Sequence, residues 1–340
     1  MRRDLRRVKN LFSSIKGNKK RNSKILKYLL HGAILAGLFL AARRYLRGEE
    51  VIQALRTFDY AYLPAMIILA TVYIILKSWR FVLWMRPVTD IPSGIIFRGH
   101  VAGTAATLVP GGMTARAGLM KQAGVPLSKS SAPVALNSVF DQIAFLGGVT
   151  LAAFWVEEAR LPTLILIGIL LVLGLIFLLP FSRRFLSRSV LRLAEKWKLL
   201  EQWKQFRESV RDVLTARIVA ITMGITILAL VVNIIILDLS LRGIGLVIPY
   251  ASLFLAYVLP TMLGRLSALP GGVGITEAGM VGYLAATAQA APEAIAAAVA
   301  IFRITTILFQ AILGALVYFF AWQGEKEMSL SSTSTEMGEK

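Results

Sequence analysis

Long, nearly uninterrupted apolar runs constrain this chain more than any other feature of its sequence. The two cleanest runs cover residues 161–181 and 218–237. Each is long enough for the roughly 20 residues that a helix needs to cross the apolar core of a bilayer. Four further runs, interrupted by more polar residues, lie at 25–42, 61–76, 132–155 and 294–322. We therefore predict an all-α polytopic membrane protein with about six transmembrane helices.

The composition agrees with a chain that faces lipid. Apolar residues make up 56% of the sequence, whereas ordinary soluble domains contain roughly 45–50%. The chain has no cysteine, which excludes disulfides and thiolate metal sites. Its basic start leads into an apolar run without a small-residue cleavage site, so we expect no cleaved signal peptide.

The net charge of +19 is concentrated in two segments, at residues 1–24 and 182–217. Lys and Arg close to a span resist translocation, so we predict that both segments and both termini lie on the cytoplasmic side of an inner or plasma membrane. Anionic lipid of the inner leaflet is the expected partner of these segments. We expect no nucleic-acid binding, because the charges flank spans and do not form a folded basic domain.

Within the second basic segment, apolar residues recur every three or four positions between about 187 and 215, with basic residues between them. This pattern is typical of an amphipathic helix. Such a helix would lie along the inner leaflet, with its tryptophans at headgroup depth. The alternative is a cytoplasmic helix that packs on its own loops.

An internal repeat relates the two halves of the chain. Residues 110–120 begin with Pro-Gly-Gly and are echoed by residues 270–280. A charged residue follows each Pro-Gly-Gly, and a residue of opposite charge lies 25 or 26 positions later inside an apolar run. These pairs are Arg116 with Asp141 and Glu277 with Arg303. We interpret the repeat as a duplication with cores at about 96–155 and 250–322.

The charge distribution also predicts the topology of the repeat. If residues 100–124 crossed the membrane once, the basic segment at 182–217 would lie outside, against the charge rule. We therefore expect 100–124 to be a re-entrant helical hairpin, with a second hairpin at 250–288. The alternative for the second is a full span, since residues 250–269 are apolar enough to cross the membrane. Three spans between them would make the hairpins enter from opposite faces, as an inverted-topology repeat whose broken helices meet near the midplane. Transporters commonly bind substrate there.

Ionisable residues within the predicted membrane domain are candidate site residues, because such groups normally pair, face a wet cavity or serve function. They are Arg116, Asp141, Arg265, Glu277 and Arg303. One interpretation is structural: Arg116 with Asp141, and Glu277 with Arg303, would be ion pairs that hold helices together. The other is an anion site, because arginines beside glycine-rich turns and helix N-termini suit phosphate. His100 is a further candidate, as a proton carrier.

Residues 270–279, Arg303 in the following helix and Trp79-Arg80 resemble the lysylphosphatidylglycerol synthase transmembrane, or flippase-like, family. The similarity covers roughly residues 25–322, which would form a single domain between a basic tail at 1–24 and a polar tail at 323–340. The resemblance implies a lipid substrate that moves between leaflets. The positions that match the family are Gly271, Gly272, Gly274, Glu277 and Arg303. The soluble aminoacyl-transferring domain of larger relatives is missing, so lysyl transfer is not expected.

These observations lead to one main hypothesis and two alternatives. The chain would translocate an anionic phospholipid or a polyprenyl-phosphate-linked lipid without ATP, since it has no phosphate-binding Gly-x-x-x-x-Gly-Lys-[Ser/Thr] loop. Alternatively, it is a membrane enzyme acting on a lipid phosphate or lipid-linked sugar, with Asp141 and Glu277 as acid and base, or a non-transporting partner of such an enzyme. We expect no catalytic residues, cofactor or metal. A homo-oligomer is compatible with the sequence.

Overall fold

The structure is a computed structural model that describes residues 48–108, 113–154, 200–267, 269–288 and 290–322, with five separate residues between 157 and 168. All regular secondary structure within these residues is helical. Four helical stretches are long and apolar enough to cross a membrane, namely Tyr60–Met85, Leu127–Ala152, Ala216–Arg242 and Pro292–Phe320. The chain is therefore an all-α membrane protein.

The remaining predicted features fall largely outside the described residues. The predicted span at 25–42, almost all of the span at 161–181 and both tails lie there. So does the first Pro-Gly-Gly, at 110–112. The total number of spans stays a prediction.

The described helices fall into two halves. The first contains α1 (Gly48–Arg56), α2 (Leu63–Met85), α3 (Ser93–Gly103), α4 (Met113–Gln122) and α5 (Leu127–Ala152). Next comes α6 (Leu200–Val213). The second half contains α7 (Ala216–Arg242), α8 (Tyr250–Leu266), α9 (Ile275–Ala288), α10 (Pro292–Arg303) and α11 (Phe309–Phe320), with a π-helical turn at Ile304–Leu308 between the last two.

The two halves have the same order of elements: a long helix, two short helices around a turn, and a second long helical stretch. The helices α3 and α8 both follow a proline, Pro92 or Pro249, with nearly the same backbone angles. The paired short helices contain 11 and 10 residues in the first half and 17 and 14 in the second. All are shorter than the roughly 20 residues of a full span.

The halves also pack on each other in a reciprocal way. The long helices α2 and α7 lie against each other, α3 packs on α11, and α8 packs on α5. At the α3–α11 contact a Cβ on Gly314 would overlap Thr104, and at the α5–α8 contact one on Gly148 would overlap Phe254. Small residues let membrane helices approach closely. The turns at Thr104–Leu108 and Pro270–Gly272 contact each other, so the two short-helix pairs meet inside the molecule.

Apolar side chains divide between the interior and the outer surface. One buried cluster includes Leu237, Leu253 and Phe302, and a second includes Phe81 and Trp84. Outward-facing apolar residues on the long helices remain exposed, among them Ile68, Ile227 and Ile312. In a membrane these exposed side chains face lipid, so they need no protein partner.

Three element boundaries differ from or refine the sequence predictions. The run predicted to end at 76 continues as α2 to Met85, and the first short-helix pair begins at Ser93 and not at 100. The described part of the predicted amphipathic segment forms α6, which packs on α5 and bonds to it through Ser128 Oγ and Gln205 Oε1, 2.5 Å apart. Residues 187–199 of that segment lie outside the described residues.

Candidate functional site

A cluster of charged side chains surrounds Asp141 in the interior. Lys77 and Arg80 lie three residues apart on α2 and therefore share one face of that helix. Lys77 Nζ is 2.6 Å from both carboxylate oxygens of Asp141 on α5, and Arg80 Nη1 is 2.6 Å from Asp141 Oδ1. Arg80 is fully buried, and Lys77 and Asp141 are more than 90% buried. We call Lys77, Arg80, Asp141 and Arg265, described next, the Asp141 cluster.

Arg265 joins this cluster from the second half of the chain. Its Nη1 is 3.0 Å from Asp141 Oδ2, and its guanidinium lies 4.8 Å from the centre of the Phe145 ring. Arg265 occupies the last turn of α8. Its side chain is 33% exposed, which makes it the most accessible cation of the cluster. The Asp141–Arg265 ion pair therefore connects α5 of one half with α8 of the other.

Neutral groups complete the hydrogen bonds of Arg80. Its Nε and Nη2 both donate to Asn137 Oδ1, at 3.0 and 2.7 Å, and Nη2 also donates to the Asn137 carbonyl. Its Nη1 donates to Thr226 Oγ1 on α7 at 2.5 Å. These bonds orient the guanidinium. They add no negative charge.

Arg116 is not the partner of Asp141, so the predicted Arg116–Asp141 ion pair is wrong. Asp141 pairs with Lys77, Arg80 and Arg265 instead. Arg116 lies near enough to interact electrostatically with Asp141. Its Nε is buried and has no hydrogen-bond partner among the residues that the structure describes. The guanidinium of Arg116 thus adds a positive charge beside the cluster.

The Asp141 cluster has an excess of positive charge. Three cationic side chains surround one carboxylate, and Arg116 lies close to them. Uncompensated charge at membrane depth is costly, and a buried charge cluster is most stable when its charges balance. An anion beside Arg265 would restore the balance. Arginine guanidinium groups bind phosphate with two parallel hydrogen bonds, so a phosphate group suits the site.

Glu277 and Arg303 form the predicted ion pair, and both also bond to the second Pro-Gly-Gly turn. Arg303 Nε is 2.5 Å from Glu277 Oε1, and Arg303 Nη2 donates to the Gly271 carbonyl at 2.8 Å. Glu277 Oε2 accepts the backbone N–H of Gly274, three residues earlier, at 2.5 Å. A glutamate in the first turn commonly caps a helix in this way. The pair therefore stabilises the turn and the start of α9.

The glycines of this turn have backbone reasons for their identity. Gly271, Gly272 and Gly274 have φ angles of 61°, 67° and 90°, which favour glycine. A Cβ on Gly272 would also come within 3.1 Å of the Gly264 backbone on α8. The three predicted glycine positions thus allow the sharp turn between α8 and α9.

Sequence reasoning missed Lys77 and weighed Arg80 only through the family resemblance. Both residues follow position 76, where the sequence predicts that the apolar run ends. The signal available was their spacing: a Lys-x-x-Arg pair on one helix face, followed by further apolar residues up to Met85. Within the described residues, no group of three or more His, Asp or Glu side chains could hold a metal ion.

Comparison with known protein families adds one finding to this geometry. Residues 28–314 match the family model described as lysylphosphatidylglycerol synthase TM region. The chain belongs to this family. The matched region contains all four residues of the Asp141 cluster and both predicted hairpins. A search of curated proteins finds no match. Membership associates the chain with membrane lipids, and the matched family model describes a transmembrane region.

Proposed function

We propose that this protein moves an anionic lipid, either a phospholipid or a polyprenyl-phosphate-linked lipid, between the leaflets of a membrane without ATP. The observation that carries the proposal is the Asp141 cluster: three buried or half-buried cations share one carboxylate inside a membrane protein. Family membership supports a lipid as the molecule that carries the anion. The headgroup phosphate would be the group that binds.

The geometry supports a division of roles within the site. Arg265 is the accessible cation, so it would contact the phosphate first, and Arg116 would contribute a second guanidinium. Lys77 and Arg80 would hold Asp141 in place. Glu277, Arg303 and the three glycines would shape the turn that lies against the first hairpin. Asp141 would act as the internal counterion that the phosphate partly replaces.

The contact between the two halves supports movement between leaflets. Each short-helix pair packs on the last helix of the other half, and the two turns touch. Transporters built from inverted repeats commonly bind substrate between halves that rock against each other, and the reciprocal packing seen here supports such an arrangement. The Asp141–Arg265 ion pair crosses that boundary at 3.0 Å. A phosphate that competes with Asp141 for Arg265 would loosen this link and thereby assist the rearrangement.

Reconstitution tests the proposal. Purified protein in vesicles should accelerate transbilayer movement of a phosphatidylglycerol labelled on its acyl chain, measured by quenching of outer-leaflet fluorescence. Arg265→Gln should slow this movement about 10- to 100-fold, because a hydrogen bond to a charged group contributes about 1.5–3 kcal/mol. Arg242→Gln is the matched control: Arg242 is also in the last turn of a helix and also paired, with Asp238 at 2.8 Å. It should behave like the wild type.

Two results would contradict the proposal. Equal rates for the Arg265→Gln and Arg242→Gln variants would favour the structural interpretation of the ion pairs. Vesicles in which the lipid headgroup changes chemically, detected by mass spectrometry of the extracted lipid, would favour the enzyme hypothesis.

The proposed orientation has its own test. Both termini and residues 182–217 would be cytoplasmic, and the chain has no native cysteine, so single cysteines can be introduced freely. Cysteines replacing Ser187 or Ser331 should resist an impermeant thiol reagent added from the periplasmic side. Labelling from that side would overturn the orientation and the count of six spans.

A further inference from the structure

His100 is a buried histidine with one unsatisfied ring nitrogen. It lies on α3 with 1% of its surface exposed, and its Nδ1 is 2.9 Å from Ser78 Oγ on α2. Its Nε2 is buried and lacks a hydrogen-bond partner within the described part of the chain. A buried polar atom without a partner is unfavourable whether that nitrogen carries a proton or not. His100 Nε2 can therefore make one more hydrogen bond than the described residues provide.

Arg116 approaches the same face of α3. A Cβ on Gly103 would come within 2.5 Å of Arg116 Cγ, so the arginine stem lies on α3 one turn beyond His100. The Nε of Arg116 is also buried and unpartnered among the described residues. Arg116 Nε is always a donor, and His100 Nε2 is a donor in one neutral tautomer and in the doubly protonated form. An acceptor would therefore satisfy both nitrogens, and beside an arginine an anion fits best.

The charges around His100 are mainly positive. Arg116 on α4, Lys77 and Arg80 on α2, and the single negative charge of Asp141 on α5 all act on it. Ser78, which bonds to His100, is the neighbour of Lys77 on α2. The remaining helix packed on α3 is α11, whose one titratable side chain, Tyr318, is 41% exposed.

This charge pattern links the protonation of His100 to the presence of an anion. Without an anion, a second proton on the imidazole would add positive charge to a region that already has an excess of it. An anion near Arg116 and Arg265 removes that excess. Protonation then becomes favourable, and both ring nitrogens become donors.

We propose that His100 is the proton site that couples anionic lipid movement to a proton gradient. The inference rests on the proposed function. A hydronium ion breaks one O–H bond and transfers the proton to the free ring nitrogen of His100, which forms one N–H bond and leaves a water molecule. Nδ1–H then donates to Ser78 Oγ, and Nε2–H donates to a phosphate oxygen. When the phosphate leaves, the N–H bond breaks and the proton returns to water, so charge and proton move together.

Proton uptake on lipid binding tests this site directly. The full-length protein in detergent, in weakly buffered solution with a pH-sensitive dye, is mixed with short-chain phosphatidylglycerol. This phosphodiester keeps a single negative charge near neutral pH, so the lipid itself takes up no proton. The wild type should take up about one proton for each lipid bound. Short-chain phosphatidylcholine, which has no net charge, should cause no uptake.

A matched pair of variants identifies the group. The chain has only two histidines, His31 and His100. His100→Gln should abolish proton uptake, whereas His31→Gln should retain it. Wild-type binding of phosphatidylglycerol without proton uptake, or undiminished uptake by His100→Gln, would overturn the proton site and leave the proposed lipid movement intact. Failure of the wild type to bind or move phosphatidylglycerol would instead contradict the proposed function itself.

A second measurement avoids dependence on the folding of the His100→Gln variant. In the His31→Gln background, histidine labelled with nitrogen-15 gives signals from His100 alone. The imidazole should change from the neutral to the doubly protonated form when phosphatidylglycerol is added at neutral pH. Signals that stay neutral with saturating lipid would overturn the proposal.

Discussion

The two charged centres of this molecule differ in how their charges are balanced. At the second turn, Glu277 and Arg303 form a one-to-one pair, and their remaining hydrogen bonds go to the backbone of Gly271 and Gly274. At Asp141, three cations share one carboxylate, and the partners come from both halves of the chain. A charge-balanced pair whose remaining hydrogen bonds all go to one turn stabilises that turn. A cluster with excess positive charge favours the binding of an anion.

The matching order of helices in the two halves makes this difference informative. Asp141 and Arg303 occupy equivalent places in the two halves, in the long helical stretch after the short-helix pair. The Glu277–Arg303 centre bonds to its own turn, whereas the Asp141 centre also includes Lys77 and Arg80 of α2. The two halves therefore use their charged residues differently: Glu277 and Arg303 bond to the second turn, whereas Asp141 pairs with cations from both halves.

Loss of Asp141 should have the largest effect. Asp141→Asn leaves Lys77 and Arg80 buried without a negative partner, and an orphaned buried charge destabilises a protein by about 3–5 kcal/mol. We expect a clearly lower midpoint of thermal unfolding in detergent. If the cluster binds anions, added phosphatidylglycerol should raise this midpoint more for the variant than for the wild type.

Asp238→Asn is the control for this prediction. Asp238 is also a buried aspartate on a membrane helix, but it has one partner, Arg242, whose side chain is 37% exposed. Its loss should therefore lower stability by less, and phosphatidylglycerol should give no selective rescue. An Asp141→Asn variant as stable as the wild type would show that the three cations need no counterion, which would remove the basis of the comparison.

Separate and joint removal of Glu277 and Arg303 should have an intermediate effect. Glu277→Gln or Arg303→Met alone leaves one partly buried charge unpaired, so each should destabilise by about 2–3 kcal/mol, below the range for fully buried pairs. The double variant removes both charges and should recover part of this loss. Recovery should be incomplete, because the turn loses hydrogen bonds to Gly271 and Gly274.

The double variant also separates a structural pair from a substrate site. If the pair serves the turn, the double variant should still move labelled phosphatidylglycerol in vesicles at a rate close to that of the wild type. A double variant that is stable yet inactive would place Glu277 and Arg303 in contact with substrate, and the assignment of the site to the Asp141 cluster alone would be wrong.

Much of this fold follows from hydropathy, and its limits have physical causes. Apolar runs predicted the long helices α2, α5 and α7, because a bilayer requires continuous apolar length. The end of α2 was missed because Lys77 and Arg80 interrupt the run, although both are buried in the interior. Hydropathy cannot distinguish a charged residue that is exposed to water from one that is buried and paired with an aspartate on another helix. Both end an apolar run in the sequence.

The candidate site was harder to predict than the helices. The repeat correctly paired Glu277 with Arg303, because both serve one turn and its following helix. It wrongly paired Arg116 with Asp141, because the three partners of Asp141 lie 61, 64 and 124 positions away in the sequence. Repeat spacing relates each short-helix pair to the helix that follows it. It contains no information on contacts with an earlier helix of the same half, such as α2, or with the other half.

Substitution of glycines at and near the turn should have the smallest effect. Gly272 has φ of 67°, and an alanine there would pay about 1–2 kcal/mol for the left-handed backbone. Its Cβ would also lie within 3.1 Å of the Gly264 backbone, which adds to the loss. Gly282 on the adjoining helix α9 is the control: nothing lies within 4 Å of a Cβ there, and alanine favours helices, so Gly282→Ala should be neutral or slightly stabilising.

The paired glycine variants complete the comparison when stability and anion binding are measured on the same samples. If the second turn is a scaffold, Gly272→Ala should lower the midpoint of thermal unfolding but leave the affinity for short-chain phosphatidylglycerol unchanged, because none of the cluster cations moves. A loss of affinity larger than that of Gly282→Ala would mean that the turn positions Arg265, which lies in the last turn of α8 just before it. The Glu277–Arg303 pair would then affect anion binding indirectly, through the Asp141 cluster.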